Sequence, residues 1–292
     1  MSTVSPKKVG LAISSGFFRS TAAIGVIQVL EEEGIPVDMV AGTSGGAGIA
    51  AAYATGNLAA VEKSFTDRHW TAYWQIIFEP TVPRQGLLKG LRTREFFKEF
   101  ITEETFATTK KKLFITATDL RSLSPVTMSE GNIVEAVHAS GGILGLWAPV
   151  KWGDKVLADG AHFHLIPSQP LYEHGADYVI AVDTSQPPSL SARAAAQVYQ
   201  YVNRRTGEQP LLTEPEVLTK DLDIVDLVKR AIRLTGSNID KLYYHSYPYD
   251  ILIQPRIQHL KRWDIRKVQE MIALGRKAAE KAIPHIKQDL GL

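Results

Sequence analysis

The sequence predicts an α/β fold in which a mostly parallel sheet is flanked by helices. Short apolar segments alternate with helical segments from the N-terminus onward, and glycines follow the helical segments. Short strands that alternate with helices form parallel pairs joined by right-handed crossovers. The loops after such strands are free to carry functional side chains.

The alternation is clearest near the N-terminus. Apolar runs predict strands at residues 9–13 and 37–41. Helices are predicted at about residues 21–33, which Gly34 ends, and at residues 45–54, which Gly56 ends. Residues 65–91 are predicted to be less regular, and the tryptophans at positions 70 and 74 either belong to the core or cover a substrate cleft.

The remaining elements are predicted in the same way. Strands are predicted at 113–118, 156–158, 178–183 and 250–253, a helix at 133–139 and a hairpin turn at 151–155. Residues 189–247 are predicted to be a helical elaboration that includes a helix at 224–234. A C-terminal helix is predicted at about 264–289, with Asp264 as its N-cap. Without an internal repeat, a single domain over residues 1–292 is the simplest interpretation.

Composition and charge exclude several classes of protein. The 292 residues are 45% hydrophobic, enough for a sizeable core, and 33 basic against 31 acidic residues give a net charge of +2. This balance argues against a nucleic-acid partner, which needs a concentrated basic surplus. The chain has no cysteine, which excludes a thiolate nucleophile and fits a reducing, cytoplasmic location. The apolar run after Lys8 is too short for a cleaved signal peptide.

Two motifs carry the candidate chemistry. Residues 42–46 form a G-x-S-x-G run between a predicted strand and a predicted helix, where a serine can sit on a sharp, exposed turn. Ser44 is therefore the candidate nucleophile, with Gly42 and Gly46 as the small residues of the turn. Asp159, at the end of a later predicted strand, is the candidate base. Residues 14–20, between the first strand and its helix, carry backbone N–H groups that could bind an anion.

Histidines leave two alternatives open. A Ser-Asp-His esterase would use Asp183 or Asp250 with His245 or His259, in the chain order of the α/β-hydrolases. His162 and His164 are predicted to share a strand face, which could suggest a metal. Two ligands without a third are more often packing residues, so we predict no metal.

Taken together, these motifs resemble the patatin-like phospholipase family, and the resemblance covers most of the chain. Family members have a glycine-rich loop before a helix, then G-x-S-x-G, then Asp-Gly-Ala or Asp-Gly-Gly. The matching segments here are residues 11–13, Arg19, 24–26, 29–32, 40–44, 118–120, 139–140, 157–161, Pro167, 175–177 and 180–183.

The resemblance implies a patatin-like three-layer sandwich and a Ser-Asp dyad that hydrolyses acyl esters of lipids through a covalent acyl-enzyme on Ser44. It implies no metal or organic cofactor. Backbone N–H groups of Gly16 and Phe17 would form the oxyanion hole, and Arg19 would organise their loop.

One departure from the family pattern concerns this loop. Gly16 is its only glycine, and Ser14, Ser15, Phe17 and Ser20 stand where glycines are frequent in the family. A bulky Phe17 is expected to tolerate a positive φ poorly and to crowd an acyl group. The loop is thus expected to limit catalysis, and the alternative function is a catalytically impaired relative that binds a lipid or an acyl group.

The segment at residues 65–91 also suggests peripheral membrane contact. Its aromatic side chains would lie at the interface, with Lys89, Arg92 and Arg94 near anionic head groups. A core helix with a solvated face explains the same pattern.

Overall fold

The computed structural model describes residues 6–81, 86–101, 105–185 and 248–292. Within these ranges one sheet contains β1 (Val9–Ile13), β2 (Met39–Thr43), β3 (Lys112–Asp119), β4 (Ser124–Met128), β5 (Val150–Trp152), β6 (Lys155–Asp159), β7 (Tyr178–Val182) and β8 (Ile251–Ile253). The α-helices there are α1 (Ala22–Glu32), α2 (Gly45–Thr55), α3 (Leu58–Asp67), α4 (Trp70–Ile77), α5 (Leu91–Lys98), α6 (Ile133–Ser140), α7 (Gln169–Glu173) and α8 (Val268–Leu290).

The sheet is mixed, with a parallel centre. Its order is β5-β6-β3-β2-β1-β7-β8, and β4 also pairs with β3. The pairs from β3 through β2, β1 and β7 to β8 are parallel. Strands β4 and β6 run antiparallel to β3, and β5 and β6 form the predicted hairpin. The prediction of a mostly parallel sheet flanked by helices is confirmed.

Helices cover both faces of the sheet and make three layers. Leu11 and Ile13 of β1 belong to the main core, which also contains side chains of α1, α2, α6 and α8. Ala12 points to the other face, where Leu171 of α7 packs. Since successive residues of a strand face opposite sides, a strand buried on both faces is apolar throughout.

Strand β2 begins two residues later than predicted, at Met39. The carboxylate of Asp38 accepts a hydrogen bond from the Val9 amide at 2.8 Å, and the strand register starts with Met39 beside Gly10. The apolar character of Val37 comes from burial in the core rather than from strand pairing.

The prediction of a less regular segment at residues 65–91 is wrong for α4 and for the last turn of α3. Apolar residues of α4 recur at positions 70, 73, 74 and 77, which is the spacing of one helical face. The prolines at 80 and 83 obscure this signal in the sequence because proline predicts a turn or a loop rather than a helix.

The C-terminal helix is observed, but its predicted N-cap is wrong. Asp264 makes no capping bond and instead pairs with the guanidinium of Arg266. A short 3₁₀ turn at Ile265–Lys267 precedes α8, which continues past Pro284 to Leu290. The predicted helix at residues 224–234 lies outside the described residues. Among the described helices, none combines the length and the apolar character needed to cross a membrane.

Candidate active site

Ser44 lies on a sharp turn between β2 and α2. Its backbone has φ +54° and ψ −122°, a conformation that non-glycine residues rarely adopt. The turn depends on close backbone contacts at the glycines on either side. A Cβ on Gly46 would lie 2.5 Å from the carbonyl oxygens of Ile13 and Ser14, and one on Gly42 would lie 2.5 Å from the carbonyl oxygen of Gly46. The turn therefore has no room for side chains at these two positions.

Strand register brings Ser44 and Asp159 together. Strand β2 ends with Thr43 beside Thr116 of β3, and β6 ends with Asp159 beside Ala117. The two strands therefore end at neighbouring positions of β3, although β6 runs antiparallel to it. The Ser44 Oγ donates a hydrogen bond to Asp159 Oδ2 at 2.8 Å.

The Asp159 carboxyl is buried and has an unusual protonation equilibrium. Burial raises its pKa from 3.8 to about 6. Hydrogen bonds from the Ala161 amide and from Ser44, together with the positive charge of Arg262, act in the opposite direction without cancelling the effect of burial. The carboxylate is therefore the main form at neutral pH, and it binds a proton more readily than an ordinary aspartate.

Ser140 fixes the backbone of the turn. Its Oγ accepts a hydrogen bond from the Ser44 amide at 2.8 Å and donates one to the carbonyl oxygen of Thr116 at 2.7 Å. The sequence marks Ser140 only as part of an Ala-Ser pair and assigns it no role, because its partner lies far away in the chain.

The loop at residues 14–20 approaches the start of α2. Its amides at Ser15, Phe18 and Arg19 donate to carbonyl oxygens, whereas those of Gly16 and Phe17 have no acceptor within the described ranges. A Cβ on Gly45 would lie 2.9 Å from the Phe17 amide nitrogen, so the two segments are in contact.

Phe17 has a φ of +54° despite its bulk. Its ring packs against Trp263 with a centroid distance of 4.0 Å and against Phe18 at 4.6 Å, and these contacts help to offset the backbone strain. Among the other residues of the loop, Ser14 bonds to Thr184, and Ser20 bonds to the Ser14 carbonyl oxygen. These serines thus tie the loop to the end of β7, a function that glycines could not perform.

Arg19 is buried, and its guanidinium donates to the carbonyl oxygen of Leu260. Burial and the neighbouring charge of Arg262 lower its pKa. Its hydrogen bonds join the loop to the segment before α8.

An apolar cavity opens beside Ser44. Its volume is about 110 Å³. It is bounded by α2, α3, α4, α5 and α6, and aromatic rings dominate its walls, including those of Phe17, Phe18, Phe65, Tyr73, Phe96 and Phe97. Trp70 and Trp74 instead have exposed side chains on the outer surface of α4.

Among the described residues of the triad alternative, none is hydrogen-bonded to Ser44, whose Oγ bonds to Asp159. The exposed His259 lies 3.2 Å from Glu270, and Asp183 and Asp250 bond to Ser185 and Tyr172. His245 lies outside the described residues.

The histidine pair is also placed differently from the prediction. His162 ends a 3₁₀ turn and His164 follows it, so the shared strand face is wrong. Burial lowers the pKa of His162 to about 4. Within the described ranges, no cluster of three or more histidine or carboxylate side chains could hold a metal ion.

Fold and site together define a protein with a serine at a strand-to-helix elbow and an aspartate as its partner. The sequence pattern of the patatin-like phospholipase family matches residues 11–171. The chain belongs to this family.

Named relatives agree with this assignment. Lysophospholipase NTE1 of Meyerozyma guilliermondii is 26% identical over 281 residues, which cover 93% of this chain and 19% of the relative. An uncharacterized NTE family protein of Mycobacterium tuberculosis is 30% identical over 194 residues, which cover 65% of this chain and 53% of the relative. The chain thus spans about a fifth of the length of the fungal relative. The crystal structure of VipD from Legionella pneumophila aligns with a TM-score of 0.44 and 13% identity over 94% of this chain and 67% of VipD.

Proposed function

We propose that this protein is a serine lipid acyl hydrolase that uses Ser44 and Asp159 as a catalytic dyad. The observation that carries the proposal is the 2.8 Å hydrogen bond from Ser44 Oγ to a buried carboxylate, beside an aromatic cavity. Membership of a phospholipase family and similarity to lysophospholipases support a lipid ester as the substrate.

The reaction begins when Ser44 Oγ attacks the ester carbonyl carbon and its proton passes to Asp159 Oδ2. Negative charge then develops on the carbonyl oxygen. The Gly16 and Phe17 amides, which lack an acceptor among the described residues, are the donors proposed to stabilise it. Arg19 has the proposed role of holding this loop in place through Leu260.

Collapse of the tetrahedral intermediate breaks the ester C–O bond, and the leaving alcohol takes the proton from Asp159. In the second half, Asp159 removes a proton from water, whose oxygen attacks the acyl carbon. The Ser44 Oγ–acyl bond then breaks, Ser44 regains its proton and the carboxylic acid leaves. No metal or organic cofactor takes part in the proposed steps. The cavity walls would hold the acyl chain, since aromatic surface favours apolar ligands.

Substitution and labelling test the dyad. Ser44→Ala should abolish turnover of p-nitrophenyl esters and labelling by a fluorophosphonate. Asp159→Asn should reduce turnover by at least a thousandfold, because the serine loses its base. Thermal melts of both variants should show a folded protein.

The histidine variants His245→Ala and His259→Ala are the matched controls and should keep most of the activity. A loss at either position equal to that of Ser44→Ala would support the triad instead of the dyad. Acyl binding by wild-type protein that neither turns over esters nor reacts with the fluorophosphonate would indicate the impaired, ligand-binding relative.

We also propose that the protein contacts a membrane surface peripherally, and that its site of action is the cytoplasm, as the absence of cysteine suggests. Exposed apolar side chains lie on α4 and near it, namely Trp70, Trp74, Phe78, Leu87 and Leu91. Other side chains of α4, including Tyr73 and Ile77, line the cavity. A lipid could then pass from the bilayer into the cavity along one helix.

The three basic side chains predicted to lie near anionic head groups differ in exposure and in ion pairing. Arg94 forms an ion pair with Glu135 and is only half-exposed, so it is removed from the proposed contact. Arg92 is exposed and donates to the carbonyl oxygen of Gln75, and Lys89 is exposed. These two cations remain available for anionic head groups.

A further inference from the structure

One part of the cavity wall carries polar groups that the proposed reaction does not use. His138 of α6 is 7% exposed and Trp147 is 4% exposed, and both line the cavity beside Ser44. Within the described ranges, both ring nitrogens of His138 lack a hydrogen-bond partner, and so does the indole N–H of Trp147. Most buried polar groups are hydrogen-bonded, so two adjacent exceptions in a ligand cavity need an explanation.

The two rings lie side by side. A Cβ on Gly90 would lie 2.7 Å from His138 Nε2 and 2.9 Å from Trp147 Cδ1, the ring atom bonded to the indole nitrogen. His138 Nε2 and Trp147 Cδ1 therefore lie close enough together for one bound group to contact both rings.

His138 is neutral at physiological pH. Burial, together with the positive charge of Arg94, lowers its pKa to about 4. The other charged group described near it is Glu135, on its own helix, which pairs with Arg94. A neutral imidazole has one donor and one acceptor, and the indole N–H adds a second donor.

We propose that the cavity binds a hydroxyl group of the substrate through the His138 imidazole and the Trp147 indole N–H; this rests on the function proposed above. A hydroxyl both donates and accepts, so it matches a pair of rings that offers two donors and one acceptor. An unsubstituted acyl chain would leave these groups unpaired. A carboxylate would bring a charge into an apolar cavity where the histidine stays neutral.

The hydroxyl could belong to the acyl chain or to the alcohol of the ester, and two pairs of substrates distinguish these sources. The first pair is p-nitrophenyl decanoate and p-nitrophenyl esters of monohydroxydecanoic acids, with the hydroxyl in the distal half of the chain to avoid lactone formation. The second pair is propyl decanoate and monodecanoylglycerol. For each pair, the measured quantity is the ratio of kcat/KM for the hydroxylated substrate to that for the plain one.

We expect wild-type protein to favour the hydroxylated member of one pair, and His138→Phe to reduce that ratio roughly tenfold, as for the loss of a buried hydrogen bond. Trp147→Phe should reduce it as well, and His138→Asn should retain part of the preference. Thr93→Val is the matched control. Thr93 lines the same cavity, but its hydroxyl already donates to the Ile76 carbonyl oxygen, so the ratio should not change.

Binding provides a readout that does not require turnover. The same ester pairs are titrated calorimetrically into Ser44→Ala, with His138→Phe added in a second variant, after thermal melts confirm folding. Failure of folded wild-type protein to hydrolyse any ester would overturn the proposed function, while the titrations would still test the hydroxyl preference. Equal ratios in wild type and His138→Phe for both pairs, with equal affinities, would overturn the inference and indicate that the polar rings hold water only.

Discussion

At the residue scale, the buried carboxyl of Asp159 links the proposed chemistry to pH. A base must be deprotonated to accept the proton of Ser44, and burial raises the pKa of this carboxyl to about 6. We expect kcat/KM to rise with pH through about 6 and then to level off. A pH–rate profile checks this, and a profile that stays flat down to pH 4 would contradict it.

The same raised pKa has a consequence for stability that serves as an independent control. Between the ordinary value of 3.8 and about 6, the folded protein binds a proton at Asp159 that the unfolded chain releases. The stabilisation from this proton is complete at low pH and is lost as pH rises through about 6, a difference of up to roughly 3 kcal/mol.

Asp159→Asn carries no buried charge at any pH. Its stability relative to wild type should therefore improve as pH rises from below 4 to above 6. The loss of one acceptor oxygen lowers the stability of the variant by the same amount at every pH. Urea unfolding at several pH values measures this difference, and a difference independent of pH would mean that the carboxyl is not perturbed.

At the element scale, α1 and α8 pack through two glycines that allow their backbones to touch. A Cβ on Gly275 of α8 would overlap the carbonyl oxygen of Ala22, and one on Gly25 of α1 would overlap that of Ile272. These contacts join the start of the chain to its end. They also support the loop at residues 14–20, which leads directly into α1.

Gly275→Ala should therefore destabilise the protein, by about 3 kcal/mol, because two backbones must separate. Helix propensity alone would favour alanine by about 1 kcal/mol. A lower free energy of unfolding in this variant would therefore come from the steric overlap. The matched control is Ala273→Gly, on the exposed side of the same helix, which should cost only that propensity. The midpoints of denaturant unfolding measure the stability of both variants. A Gly275→Ala variant as stable as wild type would show that the helices can shift apart.

At the scale of the whole molecule, the sheet and α8 link distant parts of the chain, so we expect the protein to unfold cooperatively as one domain. Strand β8, from the C-terminal part of the chain, pairs with β7, and β7 pairs with β1 at the N-terminus. We expect calorimetry to give a single unfolding transition whose van't Hoff enthalpy equals the calorimetric one. Two separable transitions would contradict the proposed single domain.

Membrane contact is also a property of the whole surface. In vesicle sedimentation we expect binding to anionic vesicles that weakens about tenfold in Phe78→Ser and falls when Lys89 and Arg92 become glutamine. Leu292→Ser is the matched control, because Leu292 and Phe78 are both 63% exposed but Leu292 follows α8 rather than α4. Absent binding, or equal losses in Phe78→Ser and Leu292→Ser, would remove the proposed contact.

Much of the fold could be predicted from local patterns. The apolar run of β1 and the helices that glycines end are visible in the sequence because burial and backbone freedom act over a few residues. The same is true of the turn at Ser44, where the glycines reflect contacts within a short segment. Helix α4 was missed although its aromatic spacing is helical, because nearby prolines masked it.

Local patterns and motifs thus predict the family, the α/β class and the candidates Ser44 and Asp159. The three-dimensional packing shows how these two residues meet, through strands that end at neighbouring positions of β3. It also decided that Asp159 has a raised pKa, that Ser140 and Thr184 support the site, and that His138 and Trp147 share one cavity. The reason is physical: burial, desolvation and hydrogen bonds between distant residues depend on long-range packing, which no local pattern in a single sequence records.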